Sequence, residues 1–66
     1  MTHTELFNTL ESIIDANGIR NVLDLISTIC SDKADHIRAS YQDEALAREW
    51  DRAGDVIAKA SGRIDL

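Results

Sequence analysis

Proline is absent from this chain, and glycine occurs only at positions 18, 54 and 62. Backbone punctuation is therefore sparse, and long uninterrupted helices are permitted nearly everywhere. β-branched residues never alternate with polar ones, so no period-two pattern argues for a strand. Cysteine occurs once, at Cys30, which excludes an intrachain disulfide. A lone thiol on an apolar stripe reads as a small buried hydrophobe in a reducing compartment.

Long apolar runs are also missing. None approaches the ~20 residues that would span a bilayer, and Met1-Thr2-His3-Thr4-Glu5 lacks the basic flank and apolar run of a secretory signal. The sequence thus reads as a soluble, cytoplasmic chain without membrane contact. Basic residues are few: seven against twelve acids, for a net charge of −5, with no Lys or Arg among the first eighteen positions. Phosphate backbones are held by clustered positive charge, so no direct binding to nucleic acid is expected. There is no Gly-rich phosphate loop, nucleophile elbow, Cys-x-x-Cys pair or His-Glu-x-x-His. The reading is of a non-enzyme with no cofactor.

What the chain does have is helical periodicity. Leu6, Leu10 and Ile13, widened by Phe7 and Ile14, make one apolar face over about 5–16. Thr2 and Glu5 stand at capping-box spacing, with Thr4 a competing cap. Asn17-Gly18 supplies residue types that tolerate the left-handed backbone closing a helix. A second helix is expected over about 20–39. Leu46, Trp50, Ala53, Ile57, Ala60 and Ile64 then repeat at steps of four and three, predicting a heptad seam over about 43–60. Glu44–Arg48 and Asp55–Lys59 stand at the supporting spacing of four on its outer face. The turn between the second and third helices is expected near 40–42, with Ser40 as a candidate cap. The rival is a turn near 31–32 followed by one helix of nearly thirty residues.

The second helix carries more apolar surface than one core needs. Ile19, Leu23, Ile26 and Cys30 form one stripe, continued by Ala34, Ile37 and Tyr41. Val22, Leu25, Ile26 and Ile29 form another, rotated around the cylinder. An ordinary surface helix presents a single stripe, and 66 residues are near the lower limit for an unaided core. The expected architecture is all-α, a small three-helix antiparallel bundle made of a helical hairpin plus an N-terminal helix and completed by dimerisation. Val22, Leu25, Ile29, Tyr41 and Trp50 are the candidate interface residues, Trp and Tyr being frequent anchors.

Three functions compete on this sequence. The leading one is a small acidic non-catalytic module acting through protein–protein contacts, as regulator or assembly subunit, with itself and then another protein as its partners. The second is an acidic inhibitor mimicking nucleic acid, although Arg38, Arg48, Arg52 and Lys59 interrupt its acids. The third is a metal-binding bundle using Asp32 and His36, four apart and beside Asp35. One helix face offers too few ligands for a metal, and no Glu-x-x-His supplies the di-metal motif. Arg38, Arg48 and Arg52, interleaved with acids, read as a solvated face.

Overall fold

A computed structural model describes all 66 residues, and every regular element in it is helical. Helix α1 is His3–Asn17, α2 is Ile19–Ser40 and α3 is Glu44–Ser61. The Thr2 hydroxyl caps α1 by accepting the Glu5 N–H at 3.1 Å. Gly18 alone separates α1 from α2. Its φ of +85° is where an L side chain is strained, and its N–H donates to the Ile14 carbonyl at 2.7 Å.

The α2–α3 turn lies at Tyr41–Asp43, which removes the rival turn at 31–32. Ser40 ends α2. The cap of α3 is Asp43, whose carboxylate accepts the Leu46 N–H at 3.1 Å. Gln42, at φ +52°, carries the chain reversal in the left-handed region without a glycine.

Helices α2 and α3 form an antiparallel hairpin in heptad register. The Ser61 hydroxyl donates to the Arg20 carbonyl at 3.3 Å and the Ser27 hydroxyl to the Gly54 carbonyl at 2.8 Å. Ala34 and Ala47, both fully buried, share one cluster with Ile37. Positions 20, 27 and 34 thus face 61, 54 and 47, steps of seven in opposite directions. Small residues fill these layers because the backbones approach closely. A Cβ at Gly54 would stand 3.1 Å from the Cys30 Cβ and 3.2 Å from the Ser27 carbonyl oxygen.

The expected α3 seam is therefore displaced. Ala47, Gly54 and Ser61 are its buried residues, whereas Leu46 and Ala60 lie exposed and Trp50, Ala53, Ile57 and Ile64 sit half-buried at one edge. A shift of one residue turns a helix face by about 100°, and small side chains escape a pattern scored on hydrophobicity.

Helix α1 completes the three-helix arrangement loosely. It meets α2, but none of its Cα atoms comes within 8 Å of an α3 Cα, and none of its residues is buried. The molecule measures 37 × 31 × 14 Å. Its shortest dimension is too thin for three stacked helix layers at roughly 8–10 Å spacing. No helix is long and apolar enough to cross a membrane.

Candidate functional site

The site begins with side chains that the hairpin leaves without cover. Along α2, positions near Cys30, Ala34 and Ile37 turn toward α3. Leu25 and Ile29, one helical turn apart, point elsewhere and stand 60% and 52% exposed. Val22, expected on the same interface stripe, is instead only 6% exposed and belongs to the interior of the chain. Leu25 and Ile29 alone carry that stripe outward.

An open groove of about 560 Å³ follows α2 along this flank. Ile29, Ile37, Tyr41 and Trp50 give it apolar walls, and Asp32, Lys33 and His36 give it a polar rim. Three of the sequence-expected interface residues, Ile29, Tyr41 and Trp50, are brought together here. Trp50 packs against the Ala34–Ile37–Ala47 cluster, and the Lys33 ammonium lies 5.9 Å from its ring centroid, within cation–π range. Tyr41 is 70% exposed, with its ring edge-on to His36 at 5.9 Å between centroids.

Asp32 and His36 share this rim, but no group of three or more His, Cys, Asp or Glu side chains converges to hold a metal. Cys30 is a buried free thiol on the α3 side of α2.

Arg38 departs most from its expected place on a solvated face. Its Nε donates to Glu44 at 2.9 Å and its Nη2 to Asp51 at 2.6 Å, and Asp35 lies 3.8 Å away. The side chain, about one-third exposed, ties α2 to the first two turns of α3. The Glu44 hydrogen bond, then the Asp51 bond, push the guanidinium pKa up. In return, the Arg38 hydrogen bond holds the Glu44 carboxyl below its ordinary range. A forked guanidinium suits two carboxylates at once. The sequence signal was the acid pair Glu44 and Asp51, seven apart and so on one face of α3, opposite a basic residue near the end of α2. Arg48 joins Glu44 at 3.5 Å, as its spacing suggested, whereas Asp55 and Lys59 do not close to within 4 Å.

Helix α1 adds another uncovered apolar face. Leu6, Phe7, Leu10 and Ile13 are all exposed, and only Ile14, near the junction with α2, is half-buried. No family model matches the chain, and comparison with curated proteins and with solved structures gives no match.

Proposed function

We propose that this chain is a small acidic, non-catalytic helical module that acts through protein–protein contact and self-associates as a homodimer. The observation that carries the reading is unspent area. The chain exposes 5207 Å² at a mass of 7.3 kDa, whereas a compact monomer of that mass exposes about 4,200 Å². Its radius of gyration is 13.8 Å, against about 11 Å for a compact fold of this length. The excess of about 1,000 Å² resembles the ~800 Å² that each partner buries in a standard interface.

That excess is apolar where it matters. Leu6, Phe7, Leu10, Leu25 and Ile29 are exposed together on a chain with no large side chain fully buried. Covering such surface contributes about 25 cal/mol per Å², and monomers rarely leave large apolar patches open. The reading places the protein in the cytoplasm, where a buried single thiol such as Cys30 stays reduced. Other proteins would then be engaged by the charged outer faces of the dimer, as regulator or assembly subunit.

Sedimentation velocity of Leu25→Asp and Ile29→Asp tests the reading. Each is expected to weaken association at least about thirtyfold, as truncation of a central anchor costs about 2 kcal/mol or more. Arg48→Ala, on the exposed face, is expected to sediment as the parent does. Unchanged association in both aspartate variants would contradict the assignment.

A further inference from the structure

Resting on the self-associating reading, we propose a specific geometry for the pair. Two copies meet about a twofold axis crossing the middle of α2, with the two α2 helices antiparallel. Helix α1 of each copy lies in the Trp50 groove of the other.

Three observations converge on this arrangement. First, the chain carries two apolar features that cannot meet within one copy. The α1 face of Leu6, Phe7, Leu10 and Ile13 is exposed, the groove at Ile29, Tyr41 and Trp50 is open, and α1 stays clear of α3. A twofold exchange covers both features in both copies and closes the assembly. Pairing like with like, groove on groove or α1 on α1, would leave the other feature bare.

Second, the lengths agree. Helix α2 has 22 residues, so it spans about 33 Å and its midpoint falls beside Ile29. Antiparallel pairing about that midpoint sets the Gly18 end of one copy beside the Ser40 end of the other. Helix α1 then leaves Gly18 at the Tyr41 end of the facing groove. Its 15 residues reach about 22 Å, enough to follow a groove that runs from Ile29 to Tyr41 over about 18 Å of helix. Leu25 and Ile29 fall near the axis, where their exposure is otherwise unexplained.

Third, the area suffices. The excess of about 1,000 Å² over a compact monomer exceeds what one partner of a standard interface buries. A contact between the α2 helices alone would draw on Leu25 and Ile29 and leave the α1 face in water.

Cysteine pairs test the geometry. In a Cys30→Ala background, Leu10→Cys is combined with Lys33→Cys, or Ile13→Cys with His36→Cys, pairs that stand equally far from the Gly18 and Tyr41 ends in this arrangement; each is mildly oxidised and resolved without reductant. Covalent dimers are expected from these combinations and not from Leu10→Cys with Arg48→Cys. In the unsubstituted background, Phe7→Asp with Leu10→Asp is expected to give a helical monomer with red-shifted Trp50 emission, since α1 no longer covers the groove. These residues are exposed in the single chain, so the hairpin is expected to stay folded, which circular dichroism checks. A dimer that survives Phe7→Asp with Leu10→Asp, or that forms no cross-link between positions 10 and 33 or between positions 13 and 36, overturns the α1 exchange while self-association stands. A disulfide closed within one chain overturns it too. A wild-type chain that is monomeric at every concentration overturns both.

Discussion

The Ser27 hydroxyl donates to the Gly54 carbonyl at 2.8 Å, and this hydrogen bond marks a close approach of α2 and α3. It forms because Gly54 has no Cβ, the space one would need being bounded by the Cys30 Cβ and the Ser27 carbonyl. Helix geometry, not turn flexibility, makes this position a glycine. Gly54→Val is expected to lower stability by about 1–3 kcal/mol, the usual cost of overpacking. Gly54→Ala should fall short of the roughly 1 kcal/mol that alanine normally gains over glycine inside a helix. Urea titration followed by circular dichroism measures both, and a valine variant as stable as the parent would contradict the close approach.

Gln42 holds φ at +52° in the hairpin turn. A side chain there costs about 1–2 kcal/mol relative to right-handed backbone, and glycine avoids most of it. Gln42→Gly is expected to raise stability by about 0.5–1 kcal/mol after the added freedom of the unfolded chain is counted. Gln42→Val is expected to lower it. Thermal melts of the two variants should move in opposite directions.

Arg38 makes hairpin stability depend on acid. Its hydrogen bond holds the Glu44 carboxyl below the ordinary value, so the folded state keeps Glu44 ionised more readily than the unfolded state does. The resulting stabilisation is complete above the unfolded glutamate pKa of about 4.3 and is lost as pH falls through the lower folded value. Glu44→Gln should therefore melt below the parent at pH 7, and the gap should narrow on acidification below about pH 4. A gap that widens in acid would contradict the pairing.

Asp32 and His36 share a groove rim without a third ligand from the chain. Zinc added in modest excess is therefore expected to leave the melting temperature of the parent and of His36→Ala equally unmoved. A rise in the parent alone would reveal a metal site.

Sequence alone located the three helices because their apolar spacing and the Asn17-Gly18 break are strong local signals. Its stripe through Cys30, Ala34 and Ile37 is the one buried against α3. It missed the complementary layers, Ser27 with Gly54 and Ala34 with Ala47, because small side chains carry little hydrophobicity and declare themselves only when two backbones meet. Val22 and Leu25 look equivalent on a helical wheel, yet the fold covers the first and exposes the second. Arg38 read as solvated among acids because its partners, Glu44 and Asp51, lie across a turn rather than along its own helix. The groove at Trp50 was partly legible: Ile29, Tyr41 and Trp50 stood out as large apolar or aromatic residues, but their convergence depends on the register of the hairpin.

Light scattering on a size-exclusion column, over a wide range of loading concentrations, tests the central claim most directly. A mass of twice 7.3 kDa, falling toward the single-chain value only on dilution, is the expected result. A folded single chain at every concentration would contradict self-association and leave Leu25, Ile29 and the α1 face without a partner of their own kind.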